Sequence, residues 1–373
     1  MKMAALDDII DRIRAASASG MPLCIRGGGS KDFHGGPLVG EPLDTGGHTG
    51  ISSYEPSELV VTVRAGTPLA ELEAALAQQG QCLAFEPPRF GGEAAGTVGG
   101  MVAAGLAGPS RASVGSVRDF VLGASMVNGR GELLTFGGQV MKNVAGYDVS
   151  RVLAGSLGVL GVIVELSLKV LPVAPAEATL AFECTQADAL RLLNEWGGQP
   201  LPLNASCWTE QGGQGWLYLR LRGAQAAVQA ACRQLGGDRG DAAQSAASWT
   251  ALRDQALPFF AERGSEQELW RVSVPQTAPV LSIEGAQTPL IEWHGGQRWY
   301  LLPRGQAGRV RAAARAAGGH ATLFARAAAD EGAPHAVPAF DSLSPALHKI
   351  HAALKREFDP QGIFNRGRLY GDL

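Results

Sequence analysis

Ile25-Arg26-Gly27-Gly28-Gly29-Ser30-Lys31 is a short apolar run that breaks into three consecutive glycines. About 70 residues on, a second and different run, Gly96-Thr97-Val98-Gly99-Gly100, repeats the composition without repeating the sequence. Glycine admits positive φ and lets the backbone come close to a ligand. Successive free N–H groups in such turns make a concave nest for phosphate oxygens. Taken alone, the first loop is read equally well as a structural tight turn or as a phosphate cradle. It lacks the G-x-G-x-x-G spacing and a following helix, and it has no Gly-Lys-Ser/Thr, so it is neither a Rossmann fingerprint nor a P-loop. Two such loops in one half-chain point to an extended anionic ligand with a pyrophosphate at its middle.

Composition narrows the possibilities. A chain of 373 residues suggests two domains. Apolar residues make up 46% and charged residues 18%, as in ordinary globular proteins, but the 50 glycines are in excess and clustered. The net charge of −3, with no basic run, argues against nucleic acid as a partner. Cys24, Cys82, Cys184, Cys207 and Cys232 are odd in number, scattered and free of any Cys-x-x-Cys. That pattern supports neither a disulfide framework nor an iron–sulfur or zinc site. The N-terminal stretch Ala4–Ile13 reads as an acidic amphipathic helix rather than a signal peptide, and no apolar run is long enough to span a membrane. The expected location is the cytoplasm, with peripheral attachment to the inner membrane through partners as an option.

Strand and helix patterns alternate up to residue 172. Leu23–Ile25 and Leu59–Val63 read as strands. Thr67 caps a helix that Pro68 begins, with Leu69, Leu72 and Leu76 on its buried face. Val162–Leu171 alternates as a half-buried strand, and Pro172 and Pro175 mark a domain boundary. Beyond it, strands over 179–183, 216–221, 269–274, 298–302 and 321–324 alternate with helices over 187–196, 224–235, 306–317 and 345–358. This pattern implies a ferredoxin-like α+β plate. Residues 236–250 read as a loose loop, and no internal repeat is visible. Leu347, Ile350, Leu354 and Phe358 form the apolar stripe of the last helix.

Four segments together resemble the FAD domain of the vanillyl-alcohol oxidase / p-cresol methylhydroxylase (PCMH-type) superfamily. They are Arg26–Ser30, Gly96–Gly100, Lys142-Asn143-Val144-Ala145-Gly146-Tyr147-Asp148 and Gly155–Ile163. The ending Phe358-Asp359-Pro360…Phe364-Asn365-Arg366-Gly367-Arg368 resembles the C-terminal signature of the same superfamily. Within it, the chain is most similar to glycolate oxidase FAD-binding subunits of the GlcE type. The resemblance implies an α+β fold: a PCMH-type FAD-binding domain of two α/β subdomains over 1–172, a smaller ferredoxin-like cap over 176–342, and a helix and tail over 343–373 returning to the flavin domain.

It further implies that Arg26, Gly27, Gly28, Gly29 and Ser30 cradle the FAD pyrophosphate. Pro87, Gly96, Thr97, Gly99 and Gly100 would line its other side and the flavin. Gly161, Val162 and Ile163 would meet the adenine through their main chain, and Asn365 would lie near the isoalloxazine. Arg366 stands where the family has proline. Ser30 and Lys31 occupy the positions where some relatives carry a flavin-linking histidine, and His34 lies too far along, so the FAD is expected to be noncovalent. The His-x-Gly-Asp-Gly-Asn-x-His motif of related hydroxy-acid dehydrogenases is absent; Glu292–Trp299 is only an echo of it.

No catalytic residue is assigned, and no metal site; His348 and His351, spaced i, i+3, lack a third ligand. Arg298 between Trp293 and Trp299 is read either as a carboxylate clamp or, more simply, as aromatic packing beside a surface arginine. The implied function is the FAD-binding subunit of a multi-subunit glycolate (2-hydroxy acid) dehydrogenase making glyoxylate. Its partners would be a sibling flavoprotein subunit and an iron–sulfur subunit that carries the electrons away. The alternative is a noncatalytic FAD-carrying relay or scaffold subunit of the same complex; a self-sufficient alcohol or amine oxidase is a third reading.

Overall fold

The structure, a computed structural model, describes residues 4–92, 95–138, 148–328 and 337–372. Lys142 and Tyr147 of the third glycine-containing motif therefore lie outside the described residues. Contacts divide the chain into two units. The first comprises Met1–Leu106, Ser116–Pro172 and Ser342–Leu373; the second comprises Ala107–Gly115 and Val173–Asp341.

In the first unit, strand Leu23–Arg26 pairs in parallel with Glu41–Asp44. Helix Ala4–Ser19 lays Ile9, Ile13 and Ala16 onto Leu23 and Leu43, and Ile363 and Phe364 of the tail join the same core. Beside this lies a five-stranded antiparallel sheet in the order Ile51–Glu55, Val60–Arg64, Val162–Lys169, Val121–Val127, Leu133–Gly137. Its central strand is not half-buried as its alternation predicts. Ser167 is buried as well, and its hydroxyl is satisfied by Thr62 at 2.9 Å. A polar side chain in a covered face is tolerated when it has a partner.

Two local expectations shift. Pro68, not Thr67, is the N-cap of helix Leu69–Ala77, because the Thr67 hydroxyl accepts instead from the Gly50 N–H at 2.8 Å. Strand Val60–Arg64 begins one residue late, because Leu59 takes φ 57° at the end of a 3-10 turn.

Helix Pro345–Phe358 has the predicted bounds and the Ser344 cap. Its stripe is not all core: Phe358 is buried, but Leu347 and Ile350 are 49% and 55% exposed.

Among the described residues the second unit holds one antiparallel sheet of eight strands, and it contains a repeat that the sequence hides. Ala176–Glu183, helix Gln186–Gly197, Leu203–Gln211, Gln214–Gly223, helix Gln225–Leu235 and Asp238–Arg239 run strand-helix-strand-strand-helix-strand. Their strands lie in the spatial order fourth, first, third, second. Gln267–Ser273, Leu290–Glu292, Gln297–Pro303, helix Ala307–Ala316 and His320–Ala325 mirror that order, with a loop in place of the first helix. The two ferredoxin-like halves join where Cys207 pairs with Glu292. Residues 236–250 are not a loose loop. The Asp241 carboxylate accepts from the Gln244 N–H at 2.9 Å and starts helix Ala242–Arg253, whose Trp249 and Leu252 are buried.

Alternation along Gln297–Pro303 sends Arg298, Tyr300 and Leu302 to one face and Gln297, Trp299 and Leu301 to the other. Arg298 is 0% exposed, so it is not a surface arginine. Its guanidinium donates to Gly295 O at 3.1 Å, Pro279 O at 2.5 Å and Ala278 O at 2.6 Å, holding the loop that replaces the missing helix. Replacing Arg298 with Met strands three carbonyls. Arg298→Met should lower unfolding stability by roughly 3 kcal/mol in urea titrations; an unchanged midpoint would contradict this bracing role.

Candidate functional site

Strand Leu23–Arg26 delivers the first glycine loop, and the second loop packs directly against it. A Cβ on Gly27 would come within 2.3 Å of Thr97 Oγ1, and one on Gly28 within 2.8 Å of Gly96 N. Gly29 takes φ 69°, where a side chain would be strained and would meet Arg26 Nη2. Arg26 turns back to an ion pair with Asp32. Among the described residues, no hydrogen bond takes the amides of Gly27, Gly28, Gly29 or Ser30. A cleft of about 90 Å³ is lined by Arg26 to Asp32, Gly96, Thr97, Gly100, Asn365 and Arg368, among others. A row of unbonded N–H groups in a concave wall, too tight for a Cβ, fits a pyrophosphate.

Other predicted residues stand elsewhere. Gly99 donates to Ala65 O at 2.7 Å, and a Cβ there would strike Ala65, so its smallness seats helix Val98–Ala104 against the end of strand Val60–Arg64. Pro87 is buried outside the cleft. A Cβ on Gly161 would meet Met126 Cε at 2.3 Å, and Val162 and Ile163 begin the central strand. A larger cavity of about 420 Å³ in the same unit is lined by Arg118, Arg151, Val159, His351 and Lys355, and by none of the predicted residues. The smaller cleft is the better candidate because it holds the unbonded donors.

The tail supplies what the sequence does not announce. Asn365, 4% exposed, accepts from Ile25 N at 2.7 Å and donates to Leu157 O at 2.6 Å. It thus ties strand Leu23–Arg26 to the turn before the central strand, across 340 and 208 positions of sequence. Arg368 donates to the carbonyls of Asp32, His34 and Gly36, bracing the residues just after the first loop. Lys355 donates to Val159 O, Asp359 Oδ2 and Phe364 O at 2.7–2.8 Å. Burial pulls its ammonium pKa down, and Asp359 opposes that shift. Asp359 in turn accepts from the Ile363 and Phe364 amides. The only local signal for these roles is the Asp-Pro-x-Gly turn itself.

In the second unit, the His294 ring meets Ser113 Oγ at 3.2 Å, and the backbone there has φ 55°. Burial holds its pKa down at about 4. In the first unit, His348 pairs with Asp372 at 2.6 Å, and His351 stacks edge-on against Tyr370. Asp148 accepts from Ser150 and pairs with Arg151.

A family described as an FAD binding domain matches residues 2–137. The chain is 45% identical over 365 residues to glycolate oxidase subunit GlcE of Escherichia coli K12, covering 98% of this chain and 97% of that one. The chain belongs to the GlcE family of glycolate oxidase subunits. FAD is its cofactor. A D-lactate dehydrogenase of Archaeoglobus fulgidus is 31% identical over 199 residues, covering 51% of this chain and 43% of that one. An alkyldihydroxyacetonephosphate synthase structure superposes with a TM-score of 0.64 at 15% identity, over 96% of this chain and 75% of that one. It confirms the PCMH-type fold of this GlcE-family chain.

Gly28→Val should abolish FAD retention, because the added side chain forces the two loops apart. The check is flavin content, with the stability of apo forms compared so that loss of ligand stabilisation is not mistaken for misfolding. Stoichiometric FAD in that variant would refute the cradle.

His294 generates a prediction on pH. Its folded pKa, about 4, lies below its ordinary 6.5, so the unfolded chain binds the proton more readily between those values. Stability is therefore lost as pH falls through that window, by up to ~3 kcal/mol from this group. His294→Asn, which tolerates the left-handed backbone, should flatten the acid side of the stability profile; identical profiles would reject the assignment.

Proposed function

We propose that this chain is the FAD-binding subunit of a multi-subunit glycolate (2-hydroxy acid) dehydrogenase, holding FAD noncovalently and passing electrons to an iron–sulfur subunit. The supporting observation is the row of unbonded amides at Gly27–Ser30, walled by Gly96 and Thr97, in a chain that matches a glycolate oxidase subunit end to end. Gly27–Ser30 would hold the pyrophosphate, with the Ser30 hydroxyl as a further donor. Gly161–Ile163 would meet the adenine, and Pro87 and Asn365 would lie towards the flavin ring. Bound FAD supplies acceptance of two electrons from the substrate carbon. The chain's residues bind and orient, and Asn365 and Arg368 keep the loop in shape.

Among the described residues no histidine lines the cleft, which supports noncovalent attachment. The scattered cysteines, without Cys-x-x-Cys, support a cluster carried by a partner. No helix among the described residues is long and apolar enough to cross a membrane. Cytoplasmic location, with membrane association only through partners, is part of the proposal.

A noncatalytic relay subunit is the second reading. It is favoured by the absence of the metal-and-base histidine motif from the sequence. Anaerobic mixing of the purified, FAD-loaded chain with glycolate or D-lactate separates the two. Bleaching of the flavin by the isolated chain supports the catalytic reading, whereas bleaching only in the assembled complex supports the relay. Protein that takes up no FAD defeats both.

A further inference from the structure

Arg271 is the cross-strand partner of Trp299, so its side chain stands on the face opposite Arg298. The two arginines, one strand apart, have contrary surroundings. Arg298 spends its guanidinium on three carbonyls. Arg271 has no hydrogen-bond acceptor among the described residues, and its Nε is buried without a partner. It lies 5.6 Å from the centre of the Phe324 ring, which in turn packs edge-on against Trp299 at 4.9 Å.

The positive charge of Arg111 lies near enough to add to the desolvation that pulls the Arg271 pKa down to about 10, while Glu292 acts the other way. Glu292 does not pair with it within 4 Å among the described residues. Its Oε1 is taken by Trp299 Nε1 at 2.6 Å and Gln297 Nε2 at 3.2 Å. That donation orients the Gln297 amide and leaves its buried Oε1 with no donor among the described residues. Gln297 is diagonal to Arg271 across the strand pair, a separation of about 7–8 Å.

Arg271 is half-buried, with its Nε shut off from solvent; a guanidinium so placed without an acceptor is unfavourable unless an anion completes it. The groups gathered here are a planar fork of donors, a second positive charge and one carbonyl acceptor, beside an aromatic wall. We propose that Arg271, with Arg111 and Gln297, forms a binding site for a short 2-hydroxy carboxylate on the sheet of the second unit. The carboxylate takes the N–H groups of Arg271, and the 2-hydroxyl donates to Gln297 Oε1. This rests on the hydroxy-acid reading and extends it to named recognition groups. It also moves the carboxylate clamp, one of the two readings of Arg298, to its neighbour on the other face.

The test is calorimetric titration of FAD-loaded protein with oxalate, glycolate and acetate, beside anaerobic reduction by glycolate. Arg271→Met should raise the Kd for oxalate and for glycolate by roughly 30-fold or more, with FAD content unchanged and the unfolding midpoint not lowered, and Arg271→Lys should fall between. Gln297→Leu should weaken glycolate by roughly tenfold while leaving acetate, which lacks the hydroxyl, unaffected. This second variant tests the site even if Arg271→Met does not fold: glycolate bound as tightly by Gln297→Leu as by wild type overturns it. Wild-type protein that glycolate reduces, with Arg271→Met binding oxalate and glycolate equally well, overturns the site and leaves the functional reading standing. Wild-type protein that binds none of the acids overturns both.

Discussion

The first unit depends on one buried side chain that closes the chain on itself. Asn365, held at φ 42°, bonds with both ends of its amide to segments from the beginning and the middle of the sequence. Through it, the strand that carries the glycine loop and the turn that starts the central strand share one rigid support. Around it, Lys355 and Asp359 form a connected network in which the Lys355 ammonium and both Asp359 carboxylate oxygens are partnered. A fully satisfied network in a low-dielectric interior rigidifies its surroundings, whereas breaking one partner leaves an uncompensated charge.

That support explains how a loop of three glycines holds a definite shape. Glycine is the residue that loses the most conformational freedom on folding, so the order of the Gly27–Gly29 turn has to come from neighbours. The Thr97 side chain and the Gly96 backbone wall it on one side, and the Arg368 guanidinium braces the residues that follow it. The amides are then fixed before any anion arrives, which lowers the entropic penalty of binding it.

In the second unit the controlling constraint is strand parity. Successive side chains point to opposite faces, so a one-residue difference decides between a structural brace and a recognition group. Arg298 falls on the face with Tyr300, under the 274–289 loop, and Arg271 falls on the face with Trp299. The halves of the sheet repeat their topology with little sequence likeness, because a pleated antiparallel plate asks only for alternating apolar positions and short turns.

Taken alone, the sequence determined the features whose causes are local. The three glycines at 27–29, the Gly96–Gly100 run, the bounds of helix Pro345–Phe358 with its Ser344 cap, and most strands of the second unit follow from propensity and periodicity within a window of a few residues. Tertiary structure decided the rest. It set Asn365 and Arg368 in the wall of the cleft with Lys355 holding the tail behind them, seated Gly99 against Ala65, built a helix on residues 242–253, exposed Leu347 and Ile350, and left Arg271 rather than Arg298 without an acceptor among the described residues. Each of these turns on partners far away in the chain or on which face of a sheet is covered. A local pattern records how a residue is spaced from its neighbours, but not what the fold will place against it.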